Sequence, residues 1–313
     1  MSCSINNMAK KTTVGVDGRR LSLTNLDKIF YPKAGFSKAD LIHYYVQIAP
    51  YLLPHLHDRA ITMKRYPDGV DAEYFYEKEA PSHRPDWVQT TKVAKGSGDS
   101  INYCMINDLP SLVWIANLAD LELHTFLHQA PDADRPTMMA FDLDPGPPAD
   151  IVLCCEVGLY LRAIFDELGL QCFAKTSGSK GLQVYVPLNT PTTYEKTKTF
   201  SRTLAERLQE EHPDEVVSNM KKSAREGKVF IDWSQNDDHK TTVSVYSLRA
   251  KEQPTVSTPV FWEEVTQSAK TNRPLSFTSD EVLARAEKHG DIFAPVLSLK
   301  QKLPAVKKVT GKK

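Results

Sequence analysis

Two aspartates one residue apart, in Phe141-Asp142-Leu143-Asp144-Pro145-Gly146, are the residues of this 313-residue chain whose spacing most directly suggests chemistry. Side chains on a strand alternate between its two faces, so Phe141 and Leu143 can enter a core while Asp142 and Asp144 leave together by the other face. Carboxylates held that close repel and raise each other's pKa unless a cation lies between them. A divalent ion removes the conflict, and hard oxygen ligands select magnesium or manganese over zinc. Pro145 and Gly146 then stop the strand and leave the pair at its exposed end. On spacing alone, a solvated strand end would look the same.

A third carboxylate lies in Lys228-Val229-Phe230-Ile231-Asp232-Trp233, where alternation puts Phe230 and Asp232 on one face. Burying a carboxylate in so apolar a strand is costly unless it is paired or holds a metal. With Asp142 and Asp144 it would complete a three-carboxylate site for two ions, the kind that runs in-line phosphoryl displacement. Such a site also needs cations for the phosphate oxygens. Ser177-Gly178-Ser179-Lys180-Gly181 offers them, because its glycines admit a ligand close to the backbone and its amides, hydroxyl and ammonium suit phosphate. Its spacing is not that of a Walker loop and no helix follows, and a polar hairpin turn fits it equally well. Arg249, and Arg225 beside Lys228, are further candidate cations, while Lys221 and Lys222 read as ordinary surface charge.

The elements that must position these groups can be read coarsely. Ser37 is a good N-cap for a helix over 37–53 with Leu41, Tyr44, Tyr45, Ile48 and Leu52 on one face, and Pro54 is expected to end it. Residues 25–32 read as a brief helical turn closed by Pro32. Strands are expected at 21–24, 61–66, 121–124, 172–175, 182–187, 228–233 and 241–246. A hairpin is expected from 87–95 and 101–106 around Gly96-Ser97-Gly98-Asp99-Ser100. Helices are expected at 109–120, at 150–168 between an Asp150 cap and the Gly169 stop, at 194–211, and near 279–289. Tyr74, Phe75 and Tyr76 form an aromatic run that closes on Lys78. Strands and helices mix without regular βαβ alternation, which predicts an α+β fold with antiparallel sheet. Residues 1–13 read as a loose arm, 14–299 as the domain, and 300–313 as a lysine-rich, solubilising tail.

A 41% hydrophobic and 25% charged composition is that of an ordinary globular protein, and zero net charge means an anionic partner must be held by a local patch. Five cysteines, an odd number with no Cys-x-x-Cys, argue against a disulfide framework or structural zinc and fit a reducing cytoplasm. No apolar run is long enough to span a bilayer, so no membrane partner is expected.

Taken together, Phe-Asp-Leu-Asp-Pro-Gly, Thr-Ser-Gly-Ser-Lys-Gly-Leu-Gln-Val-Tyr-Val-Pro-Leu, and Lys-Val-Phe-Ile-Asp-Trp-Ser-Gln-Asn followed by Tyr-Ser-Leu-Arg resemble the polymerase module of bacterial ligase D. That module belongs to the archaeo-eukaryotic primase superfamily, and the likeness runs from Leu21 to Ile292-Phe293-Ala294-Pro295-Val296. It implies a primase-polymerase fold, an RRM-like antiparallel sheet core flanked by helices, and a template-directed nucleotidyltransferase that fills gaps in non-homologous end joining, often with ribonucleotides. By the same resemblance Asp142, Asp144 and Asp232 hold two Mn2+ or Mg2+ ions, and Ser177, Lys180, Arg249 and His124 meet the incoming NTP or dNTP. Gln235 falls near its sugar, and Lys64 and Arg65 near nucleotide and template. Phe75 and Tyr76, with Lys78 beside them, stack on template bases. Asn25, Lys28 and Lys38 grip a downstream 5′-phosphate on gapped or broken DNA, and Arg225 helps place the primer end. The family also implies Ku and a DNA ligase as separate partners, and a prokaryotic, nucleoid-associated setting. A non-catalytic DNA-end bridge and a metal-dependent nuclease are the rival readings, and neither needs both the aspartates and a triphosphate cradle.

One position departs from the family: Gln183 stands where histidine is usual. Its amide is expected to point into the site and donate to a phosphate oxygen, without the charge or proton a histidine could supply. The expected result is a rate less sensitive to pH, which an unchanged profile in Gln183→His would contradict.

Overall fold

The computed structural model describes residues 11–94 and 98–306. The acidic strand, Met138–Pro145, lies inside a six-stranded sheet. The order is Val216–Val217, Val229–Asp232, Met138–Pro145, Leu182–Pro187, Phe173–Thr176 and Pro259–Val260, antiparallel throughout except for the first pair. Period-two alternation sorts its side chains as the sequence implies. Met139, Phe141 and Leu143 are fully buried against the helices Ile151–Glu167 and Tyr194–Glu211, in one apolar cluster with Val157, Leu161, Leu204 and Leu208. On the other face Met138 and Ala140 join a second core, and only past them do Asp142 and Asp144 emerge.

The second core belongs to a sheet ordered Thr242–Val243, Asp120–Thr125, Ala60–Arg65, Ser100–Met105, Thr90–Ala94, with Phe75–Glu77 pairing to Ala60–Arg65. Ile61, Met63, Leu121 and Leu123 pack in one cluster with residues of the helices Lys38–Leu56 and Leu109–Asn117. Thr62, Lys64, Glu122 and His124 alternate with them and take the opposite face. The long helix starts at a capping box in which the Ser37 side chain accepts from the Asp40 amide and Asp40 accepts from the Ser37 amide.

Several boundaries differ from the expectation, each for a physical reason. The long helix runs through Pro50 and Pro54 to Leu56, where Leu52, His55 and Leu56 are buried; that burial offsets the roughly 3 kcal/mol a helical proline costs. Residues 25–32 turn at Asn25, whose φ is 53°, and then form a strand, Ile29–Tyr31, paired with Phe36–Ser37. Of 241–246 only Thr242–Val243 is strand, and the helix Trp262–Thr271 was not expected at all. The first strand begins at Lys11, inside the segment read as an arm, because Lys11–Val16 pairs with Arg19–Thr24. Gln301, inside the segment read as a solubilising tail, hydrogen-bonds the backbone of Gln171, Pro187 and Leu188. The rest of the arm, the tip of the 96–100 turn at Gly96 and Ser97, and 307–313 lie outside the described residues. Among the described residues no helix is long and apolar enough to cross a membrane.

Candidate active site

Sheet register brings the distant aspartates together. Asp142 lies directly opposite Asp232 on one neighbouring strand and opposite Gln183 on the other, and Gln183 lies opposite Lys175. One row across four strands therefore reads Asp232, Asp142, Gln183, Lys175. Directly opposed side chains have Cβ atoms about 5 Å apart, close enough to interact strongly. Asp142 is pushed up to about 6, first by burial and then by Asp232 and Asp144, with Gln183 bonding and Lys175 pulling the other way. A carboxyl crowded by two others is a donor set suited to a hard divalent cation, so these residues fit the ions a polymerase domain implies.

Other contacts spread the three aspartates. Asp144 accepts from Arg225 Nη1 at 3.1 Å, and the Arg225 guanidinium lies 3.8 Å from the Phe230 ring centroid. Asp232 Oδ1 accepts from the Ser234 amide at 3.0 Å and Oδ2 from Gln235 Nε2 at 2.8 Å. Among the described residues, the group whose metal-donor atoms all fall within 4.8 Å of one another is Asp237, Asp238 and His239 on the surface, and Asp237 is paired with Lys198.

The acidic strand opens into a cleft of about 250 Å³ that Asp142, Asp144, Ser177, Lys180, Gln183, Gln235, His124 and Arg249 all line, with Ser179, Gly181 and 241–243. The 177–181 loop is a hairpin with no room for side chains at its glycines. A Cβ on Gly181 would stand 2.1 Å from the Leu143 carbonyl oxygen, and Gly178, at φ +68°, would meet Ser257 N at 2.6 Å. The amides of Ser179 and Gly181 point inward to Ser177 Oγ at 3.2 and 3.1 Å, so those two donors serve the loop and not an outside anion. Arg249 Nη1 donates to the Ser177 carbonyl at 2.7 Å, tying the arginine to the loop. Lys180 is exposed at the rim.

Gln183 departs from its expected task. It is buried, its Oε1 takes the Lys175 ammonium, and its Nε2 donates to Thr242 Oγ1 at 3.1 Å and supports the Asp142 carboxyl. The amide thus forms part of the cleft floor and is committed to protein groups. Lys175 escaped the sequence reading. Its ammonium is buried and also donates to Val243 O at 3.0 Å and Ser257 Oγ at 2.7 Å; burial lowers its pKa well below the usual lysine value, with Arg249 acting the same way and Asp142 opposing. Counting back from the 177–181 loop as a hairpin would have set it opposite Gln183.

The remaining predicted residues form two neighbouring groups. Lys64 and Arg65 pair across strands with Tyr76 and Phe75, both exposed. Arg65 lies 5.1 Å from the Phe75 ring, Lys64 lies 4.3 Å from the Tyr74 ring, and Tyr76 lies 6.2 Å from His124, so the aromatic shelf borders the cleft. Lys78 is exposed past the end of that strand. In the second group, the turn at Asn25 holds Lys28 against the helix start, where the Lys38 amide donates to the Lys28 carbonyl at 2.8 Å. Lys38 Nζ donates to Thr24 Oγ1 at 3.3 Å, and Lys28 is paired with exposed Asp68. Lys38 is lowered to about 8, first by burial and then by Lys28 and Arg65, which are themselves paired with Asp68 and Glu77.

The model for the family described as "LigD, primase-polymerase domain" matches residues 37–293. The chain belongs to that family. It is 40% identical over 279 residues to the multifunctional non-homologous end joining protein LigD of Mycolicibacterium smegmatis, covering 88% of this chain and 36% of that protein. It is 35% identical to the bifunctional LigD of Bacillus subtilis, covering 88% and 44%. The chain thus spans less than half the length of these relatives. The solved polymerase domain of Mycobacterium tuberculosis ligase D, in complex with DNA, superposes with a TM-score of 0.84 at 37% identity over 90% of this chain and 99% of that one. The motif resemblance and the mixed helix and antiparallel-sheet fold both hold. As a LigD polymerase domain the chain is a DNA-directed nucleotidyltransferase, an activity that implies a divalent metal.

Proposed function

We propose that this LigD-family domain fills gaps and overhangs at DNA double-strand breaks during non-homologous end joining, accepts ribonucleotides, and acts with Ku and a DNA ligase. The observation that carries the proposal is the single cleft in which Asp142 and Asp144, with Asp232 opposite, face Ser177, Lys180, His124 and Arg249. Asp142, Asp144 and Asp232 would hold two Mg2+ or Mn2+ ions, which on binding activate the primer 3′-hydroxyl and neutralise the leaving group. The 3′-hydroxyl gives up its proton to solvent, and its oxygen bonds to the α-phosphorus as the bond to pyrophosphate breaks. Lys180 and Arg249 receive the charge that accumulates on the departing oxygens, and the Ser177 hydroxyl and His124 help orient them. Gln235, held by Asp232, meets the sugar, and Phe75 and Tyr76 support unpaired template bases. Arg225, now on Asp144, exchanges that partner for the primer terminus. Asn25, Lys28 and Lys38 take the 5′-phosphate across the gap.

The test is incubation of the protein with Mn2+, NTPs or dNTPs, and a gapped duplex bearing a 5′-phosphate. Templated lengthening of the primer, faster with NTPs, is expected. Shortening of any strand would favour a nuclease, and stable DNA binding with no change in length would favour a bridging module.

A further inference from the structure

Glu122 carries no part of the reading so far, yet it is 2% exposed and five groups converge on it. Lys64 Nζ and Tyr66 OH each lie 3.3 Å from Oε1, and the Ala250 amide donates to the same oxygen at 3.1 Å. His124 Nε2 lies 3.1 Å and Arg249 Nε 3.2 Å from Oε2. Three of the five are the side chains assigned above to the nucleotide. The register explains the convergence: Lys64 stands opposite Glu122 and Thr62 opposite His124, while Ala250 follows Arg249 directly in the chain. A buried carboxylate is tolerated only when paired, and the neighbouring Lys64 and Arg249 cations need an anion between them for the same reason, while His124, whose pKa is lowered by burial, meets the same carboxylate through a ring nitrogen. Burial alone would push Glu122 up, but bonding to His124 and the charges of Arg249 and Lys64 hold it far below the carboxylate range.

We propose that Glu122 is the positioning residue of the triphosphate cradle, fixing Arg249, His124 and Lys64 as one preassembled unit before nucleotide arrives. This rests on the polymerase reading of the cleft. Glu122 sets the direction of all three side chains, and the Ser177 carbonyl helps to hold Arg249. Because alignment of the triphosphate governs the rate of displacement more than the strength of binding, loss of Glu122 falls mainly on kcat. The neutral amide of Glu122→Gln leaves the cations without a counter-charge, so a bound polyanion stabilises that variant more than it does the wild type.

The experiment compares wild type, Glu122→Gln and Glu122→Asp in steady-state primer extension and in melting with and without inorganic tripolyphosphate. Glu122→Gln is expected to lower kcat at least ~10-fold with KM for nucleotide within ~3-fold, and to show a larger tripolyphosphate-induced rise in Tm than wild type. Glu122→Asp keeps the charge but withdraws it by one methylene. It should retain the wild-type response to tripolyphosphate and still lose several-fold in kcat, which keeps the test open if the glutamine variant does not fold. Wild-type kcat in Glu122→Asp, or a change confined to Tm, would overturn the proposal. Failure of the wild type itself to extend a primer would instead remove the polymerase reading beneath it.

Discussion

Asp142→Asn should reduce primer extension on the order of a thousandfold while leaving the chain at least as stable as wild type. The two effects have one origin. Asp142 sits between Asp232, Asp144 and the floor formed by Gln183, and its carboxyl is raised to about 6 by burial and by the other two aspartates. A group that titrates higher in the folded chain than in the unfolded one favours folding most below its unfolded value, near 4, and loses that advantage as pH rises through 6. At pH 8 and without divalent ions, the wild type therefore bears the full cost of a buried charge beside two other carboxylates, on the order of 3 kcal/mol for a shift of about two units. Asparagine keeps the shape and removes the charge. Melting in chelator should give a variant Tm a few degrees above wild type at pH 8, with the difference closing near pH 4. A variant less stable than wild type at pH 8 would mean that Asp142 serves the fold, and normal extension by it would remove Asp142 from the chemistry.

Lys38→Ala should weaken binding to a 5′-phosphorylated gap roughly 10-fold or more, and to the unphosphorylated gap less than about 2-fold, because one charge-assisted contact is worth about 1.5–3 kcal/mol. Lys28→Ala should act in the same direction, since its exposed pairing with Asp68 is worth little in free protein. The wild-type preference also carries a pH signature. Lys38 is held near 8 by burial and by Lys28 and Arg65, so below that value the site offers a full ammonium to the phosphate. Above it binding must first take up a proton, and the preference for 5′-phosphate should fall as pH rises from 7.5 to 9.5. Lys38→Arg keeps its charge across that range and should flatten the curve. Fluorescence anisotropy on the two gaps reads both effects; equal losses on both substrates, or a flat wild-type profile, would contradict a phosphate pocket here.

Much of this site was legible in the sequence because alternation is a local rule. Phe141 and Leu143 against Asp142 and Asp144, or Ile231 against Phe230 and Asp232, can be sorted without knowing what lies alongside. Register is not local. That Asp232 faces Asp142, and that Lys175 and Gln183 continue the row, depends on pairings between segments as much as ninety residues apart in the chain. Glu122 was missed for a related reason: one glutamate between two leucines looks like the solvent side of a strand. Only the approach of the Arg249–Ala250 segment, from the far end of the chain, reveals it as buried. Gln183 shows the reverse error. The strand direction was right, but the hydroxyl of Thr242 and the ammonium of Lys175 had already engaged the amide meant for phosphate. Pro54 misled because a local breaker was weighed without the buried side chains that carry the helix past it.

The most direct measurement is Mn2+ binding, followed by the loss of the free-ion electron paramagnetic resonance signal in the presence of a non-hydrolysable nucleoside triphosphate. Wild type should bind ions that Asp142→Asn largely loses and that Asp238→Ala retains. If Asp142→Asn bound Mn2+ like the wild type while Asp238→Ala did not, the ion would belong to the surface cluster of Asp237, Asp238 and His239, and the three sheet aspartates would not be the metal centre.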